Sequence, residues 1–253
     1  MTHPSSPPGT DSDLWVRRFH PGSPGAPRLV CFPHAGGSAS FYFPVSRTLA
    51  PVAEVLALQY PGRQDRRAEK GLETVDELAD GIAGALAPYT DRPLVFFGHS
   101  MGAILAYEVA LRLERQGVVL RHLFASGRRA PSRYRAESVH TRDDDGIMAE
   151  LTALSGTDAA VLGDEEILRM VLPAVRSDYC AIESYRHAGD GRLSCPVTVL
   201  IGDEDPLVTL QEASDWSAHT SAGCELSVFQ GGHFFLTRHQ SDINALIRER
   251  LVS

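Results

Sequence analysis

The sequence predicts an α/β fold: a mostly parallel central sheet with helices on both faces and a helical insertion near its carboxyl edge. Three observations predict it. Short apolar runs alternate with longer segments of helical spacing along most of the chain. One such run, Leu94-Val95-Phe96-Phe97, passes through Gly98-His99-Ser100-Met101-Gly102 into a long apolar-rich segment that stops at Gly117, a suitable helix C-cap. Between Pro131 and Cys195 the alternation breaks off and only helical patterns remain.

Residues 1–13 are rich in Pro and Ser and are expected to form a disordered tail, leaving 14–253 as the folded unit. Leu14–Phe19 alternates enough for an edge strand, and Arg28–Phe32 is a short apolar strand running into Pro33-His34-Ala35-Gly36-Gly37-Ser38. Ser40–Ala50 reads as helix and Glu54–Tyr60 as strand, ended by Pro61-Gly62. In Thr74–Tyr89, Val75, Leu78, Ile82 and Leu86 recur at helical spacing; Leu120–Ala125 is the strand after the long helix. Within the insertion, about 131–195, Asp143–Leu154 and Asp164–Tyr185 read as helices, the second interrupted at Pro173. An all-helical insertion in a parallel sheet is most simply a lid over the carboxyl edge. The sheet resumes with Pro196–Ile201 and ends with Glu225–Phe229; Leu210–His219 and Ser241–Leu251 read as helices.

Composition narrows the function. Net charge of −8 argues against general nucleic-acid binding, which needs a basic face. No apolar run is long enough for a membrane span, and the N-terminus lacks a basic region followed by an apolar core. Cys31, Cys180, Cys195 and Cys224 form no C-x-x-C pair and are expected to be reduced thiols in a cytoplasmic protein. No His/Cys cluster has zinc spacing and no phosphate-binding glycine motif occurs, so neither metal nor cofactor is expected.

Gly98-His99-Ser100-Met101-Gly102 fits G-x-S-x-G, the nucleophile elbow. The pentapeptide alone is weak evidence; the strand before it and the helix after it supply its required context. A serine there needs a base, and the base needs an orienting acid, in the chain order Ser, acid, His. Of ten histidines, only His233 directly follows the last strand and is approached through glycines, Gly231-Gly232. The acid should follow the preceding strand, where Asp203, Glu204 and Asp205 are candidates; Asp205, presented further out and stiffened by Pro206, is favoured over Asp203. Two backbone amides must stabilise an oxyanion. Met101 follows the serine, and Ala35 is the first small residue of the early loop.

Taken together, Phe32–Ala39, Tyr60-Pro61-Gly62-Arg63, Phe97–Ala103, Leu172-Pro173 with Arg176 and Asp178, Gly202–Pro206 and Gly231–Phe235 resemble the type II thioesterases. These are stand-alone α/β-hydrolases that accompany modular polyketide and nonribosomal peptide synthases. The likeness runs from about Leu29 to Leu251. It implies a Ser100–Asp205–His233 triad, an oxyanion hole at Ala35 and Met101, and a lid over acyl chain and phosphopantetheine arm. It also implies an acyl or peptidyl carrier protein as partner, and an editing role on stalled or wrong acyl groups. A monomer is expected. Arg128, Arg129, Arg133 and Arg135 are a candidate docking face for an acidic carrier, against the plainer reading of a solvated basic loop. A carboxylester hydrolase or a cyclising thioesterase is the alternative enzyme.

Overall fold

The computed structural model describes residues 11–155, 165–189 and 191–252. Its strands are β1 (Val16–Arg17), β2 (Arg28–Phe32), β3 (Glu54–Leu58), β4 (Leu94–His99), β5 (His122–Ser126), β6 (Val197–Gly202) and β7 (Cys224–Phe229). Among the described residues they form one sheet in the order β1-β3-β2-β4-β5-β6-β7. All neighbours pair in parallel except β1, which runs antiparallel to β3 with Val16 opposite Leu58. The central strands β2, β4, β5 and β6 are buried along their whole length, which is why they read as unbroken apolar runs rather than alternating ones.

Strand pleating divides the core in two. Val30, Phe32, Leu56, Leu58 and Phe96 face one side, with α3 (Val75–Leu86) and α4 (Met101–Arg115). Leu29, Cys31, Val55, Ala57 and Val95 face the other, with α2 (Phe43–Leu49) and the last helix, Gln240–Val252. Helix α3 starts at Thr74, whose side chain accepts from the Glu77 amide. Helix α4 ends as expected at Gly117, which has φ +84°; the amides of Gly117 and Val118 bond the carbonyls of Glu114 and Leu113 in a Schellman motif.

The chain starts the parallel sheet at β2, adds β3 on one side, and then crosses to place β4 on the other. The loops after β2 and β4 therefore diverge at their carboxyl ends and open a crevice there. The helices α5 (Asp144–Ser155) and α6 (Glu165–Ser184) lie in the chain between β5 and β6. The stretch 156–164 and residue 190, both inside the expected insertion, lie outside the described residues.

Three expectations are corrected. Residues 1–10 of the expected tail lie outside the described residues, but Asp11–Trp15 is a short helix, α1, and only Val16–Arg17 of the expected edge strand pairs. Trp15 packs so closely on α3 that a Cβ on Gly81 would come within 2.6 Å of its ring, and the Arg66 guanidinium covers the indole at 4.6 Å. The segment that looked like a tail is thereby drawn onto the domain. Second, α6 is not interrupted at Pro173. A mid-helix proline costs about 3 kcal/mol, but Leu172, Ala174, Val175 and Asp178 are all buried and fix the helix on either side of it. Third, the helix expected at Ser40–Ala50 divides into a 3-10 turn, Ala39–Tyr42, and α2, with Pro44 in its first turn where the missing N–H has no helical partner anyway.

Candidate active site

Ser100 sits between the end of β4 and the start of α4 with φ 55° and ψ −120°. Such a conformation costs on the order of 1–3 kcal/mol and persists only where its surroundings enforce it. Here the Ser100 amide donates to Ser126 O at 2.8 Å and its carbonyl accepts from the Ala103 amide at 3.0 Å. The two flanking glycines are steric necessities. A Cβ on Gly98 would lie 2.2 Å from Gly102 O, and one on Gly102 would lie 2.1 Å from Phe32 O. The strand, turn and helix can close only if both positions lack side chains.

The loops after β6 and β7 bring the acid and the base together. His233 Nδ1 lies 2.9 Å from Asp205 Oδ2, with both side chains almost fully enclosed. A carboxylate oxygen only accepts, so this bond requires the proton on Nδ1 and leaves Nε2 as the acceptor of the neutral ring. Asp205 Oδ1 accepts the Leu207 amide at 2.9 Å, which fixes the carboxylate plane. Asp203 meets backbone rather than a ring. Its Oδ1 accepts the Gly231 amide at 2.8 Å, tying the β6 loop to the glycines ahead of His233.

Two histidines of the sequence that do not qualify as the base surround the one that does. The His99 ring lies tilted against that of His233, centroids 4.9 Å apart, and its Nδ1 lies 3.0 Å from Ser126 Oγ. Burial, then the neighbouring His233 and His34, hold it well below the ordinary histidine range. His34, packed edge-on against Phe41 and Phe234, is pushed down to about 3 by burial first, then by His233 and Arg63. Both are therefore neutral near pH 7, and neither sets a positive charge beside the base.

The two nominated amides, of Met101 and Ala35, belong to residues that line the same cavity as Ser100. Met101 is the first residue of α4, where the leading N–H groups lack intrahelical acceptors. Ala35 lies in a turn closed by Gly37 N–H donating to His34 O at 2.9 Å. The next amide, Gly36, donates to Asp178 Oδ2 of α6 at 2.7 Å. That carboxylate also takes a two-pronged bond from Arg63, at 2.7 and 2.9 Å, while Arg63 donates to Gly37 O at 2.9 Å. Gly36 has φ +76°, and a Cβ there would lie 2.7 Å from Val175 of the same helix. Helix α6 thus grips the loop that carries Ala35. From sequence, Arg63 and Asp178 stand only among the residues of the resemblance and carry no role; the available signal was an acid placed among the apolar positions of α6.

Ser100, His233, Ala35 and Met101 all line one cavity of about 890 Å³. Its far wall is Leu151, Leu154, Val171, Val175, Tyr179 and Ile182, from α5 and α6, so its lining there is chiefly apolar. The candidate docking face is reduced by the structure, and so is the plainer reading of a wholly solvated loop. Arg128 and Arg129 are buried, Arg129 on Glu137; Arg133 pairs with Asp215 and Arg135 with Glu212. A run of arginines near a loop looks solvated in one dimension, but here it folds inward or is neutralised in place. Among the described residues, no group of His, Cys, Asp and Glu is arranged to hold a metal ion, and no helix is long and apolar enough to cross a membrane.

The family model of the thioesterase domain matches residues 27–251. The chain belongs to the thioesterase family. The thioesterase is 58% identical over 255 residues to the probable cadicidin biosynthesis thioesterase of Streptomyces griseus, covering 99% of this chain and 71% of that protein. It is 50% identical to thioesterase PikA5 of Streptomyces venezuelae, covering 97% of this chain and 88% of that one. Among solved structures it is similar to the type II thioesterase BorB from the borrelidin biosynthetic cluster, with a TM-score of 0.92, 51% identity, and 96% and 100% of the two chains covered. The thioesterase is a thioester hydrolase of the type II kind, with the mixed α/β sheet of the α/β-hydrolase fold.

Proposed function

We propose that the enzyme hydrolyses acyl groups from the phosphopantetheine arm of acyl or peptidyl carrier proteins, and so clears stalled or aberrant chains from a polyketide or nonribosomal peptide assembly line. The observation that carries this reading is the His233–Asp205 bond of 2.9 Å opening, with the strained Ser100, onto one large cavity with a mainly apolar far wall. An apolar chamber suits an acyl chain.

In this mechanism His233 Nε2 takes the Ser100 proton as Oγ forms a bond to the thioester carbonyl carbon. Asp205 keeps Nδ1 protonated and stabilises the imidazolium. The amides of Ala35 and Met101 donate to the developing oxyanion, each donor contributing roughly 2.7–4 kcal/mol in comparable sites. The carbon–sulfur bond breaks and the thiol leaves with the proton held by His233. Water then loses a proton to His233, attacks the acyl-serine carbonyl, and releases the free acid with Ser100 restored. The helical insertion acts as the lid that excludes bulk water from the acyl-enzyme. A monomer is taken as the working unit, and the free thiols support a cytoplasmic setting.

Ser100→Ala should abolish turnover of an acyl-carrier substrate and labelling by a fluorophosphonate probe. Near wild-type hydrolysis by that variant would end the assignment. A macrocycle instead of the free acid as product would make the enzyme a cyclase, and faster turnover of a matched oxygen ester would make it an esterase.

A further inference from the structure

The rim of the catalytic cavity carries one cation that the fold leaves unengaged among the described residues. Of the residues lining the cavity, Ala136, Ser138, Arg142, Thr237 and Arg238 are exposed, so they form its open edge. Arg142 is held by Glu150 at 2.8 Å. The other carboxylates of the lining are taken as well, Glu137 by Arg129 and Glu183 by His140. No hydrogen bond or ion pair joins the Arg238 side chain to any described residue. Asp242, the nearest carboxylate along the chain, reaches His239 at 3.7 Å instead.

The backbone that presents Arg238 is fixed to the reaction centre. The residue closes the short helix Phe235–Arg238, which begins two residues after His233. The Phe235 amide donates to Gly232 O at 3.1 Å, and the Thr237 amide and hydroxyl both donate to Phe234 O, at 3.1 and 2.9 Å. His239 Nε2 donates to Gln230 O at 2.9 Å on the far side. Phe235 and Leu236 are buried, so the helix cannot roll away from the cavity. Arg238 is thus a positive charge at a set place on the rim of a chain whose net charge is −8.

Resting on the carrier-protein reading above, we infer that Arg238 binds the phosphodiester of the phosphopantetheine arm. The thioester and both amides of that arm are neutral. Its phosphate is the one charge that every acyl-carrier substrate shares, whatever its acyl group. With the thioester carbon at Ser100, the phosphate stands at the other end of the arm, toward the open edge. A guanidinium offers a planar fork of donors that suits phosphate oxygens, and this one has no competing carboxylate to release first. The contact is blind to the acyl chain, so it serves an enzyme that must accept many of them.

The test uses butanoyl-pantetheine, butanoyl-phosphopantetheine and a butanoyl-carrier protein, with wild type, Arg238→Gln and Arg238→Glu at low ionic strength. The first two substrates differ only in the phosphate. In wild type, kcat/KM for the phosphorylated one should be about three- to tenfold higher, the scale of one charge-assisted contact at an exposed site. Added salt should shrink that ratio. In Arg238→Gln the ratio should fall to about one, through KM rather than kcat, and in Arg238→Glu it should fall below one. KM for butanoyl-carrier should rise in Arg238→Gln by the same factor. A wild-type ratio near one, a ratio that Arg238→Gln does not move, or an equal drop on both small thioesters overturns the inference. So does an unchanged KM for butanoyl-carrier, which would confine the contact to the free arm. If butanoyl-carrier is not hydrolysed in a Ser100-dependent way while the small thioesters are, it is the carrier-protein reading that fails.

Discussion

Replacing Asp178 by Asn should uncouple the catalytic loop from the insertion. The wild-type carboxylate is 1% exposed and accepts three hydrogen bonds, two from Arg63 and one from Gly36 N–H. Asn keeps the shape but loses the charge and one acceptor. Arg63, itself only 4% exposed, becomes an uncompensated buried cation. Breaking a buried pair from one side costs about 3–5 kcal/mol, a large part of a total stability of about 5–15 kcal/mol. Freed from Asp178, the turn bearing Ala35 loses its fixed direction. The turnover number should fall at least tenfold, with a ceiling of about 10²–10³ set by removal of one oxyanion donor outright. Urea unfolding followed by tryptophan fluorescence reads the first effect, and release of carrier thiol reads the second. The double variant Arg63→Met/Asp178→Leu separates them. An apolar pair of similar volume should recover most of the stability, yet Gly36 N–H still lacks its acceptor and turnover should stay low. If Asp178→Asn costs under about 1 kcal/mol, or if the double variant restores turnover together with stability, the pair is only a structural fastener and the reasoning fails.

Two further outcomes follow from the same geometry. Asp205→Asn should lower kcat by about 10³–10⁴, as expected when the orienting acid is lost and the tautomer can invert, whereas Asp203→Asn, which affects only the bond to the Gly231 amide, should lower kcat less than tenfold; steady-state kinetics on one carrier substrate compares them. Stability should decline as pH falls below about 6.5. The unfolded chain protonates His34 there, while the folded chain does not until about 3, so the unfolded state binds more protons across that interval and gains on the folded one. His99 acts in the same direction. His122 and His219, each drawn down to about 4 by burial first, add to it; the four together give a slope approaching about 5.4 kcal/mol per pH unit, and His34→Gln should remove about a quarter of it in urea titrations between pH 6.5 and 5.

What the sequence reveals about this molecule is what depends on near neighbours. The elbow is legible because strand, turn and helix are contiguous and because both close approaches, Gly98 to Gly102 and Gly102 to Phe32, demand glycine. The loops carrying Asp205 and His233 are legible because each follows an apolar strand, but the choice between Asp203 and Asp205 turns on which carboxylate meets a ring and which meets an amide. The Arg63–Asp178 pair spans 115 residues, and no local pattern joins its halves. Pro173 misleads for a related reason: propensity assigns it a break, and burial on both sides of it overrides that. Arg128 and Arg129 mislead most, since hydrophilicity says surface and only the folded insertion encloses them.

The grip of Asp178 on Gly36 has a consequence for anyone who would exchange insertions between relatives to change acyl selectivity. The insertion is not a detachable module. A transplant of α5 alone leaves the anchor in place and alters one wall of the chamber, including Leu151 and Leu154. A transplant that replaces α6 must carry an acid at the position of Asp178, in register with the native Arg63 and Gly36. Without it, the chimera would receive a new selectivity wall and lose the geometry of its reaction centre in the same step.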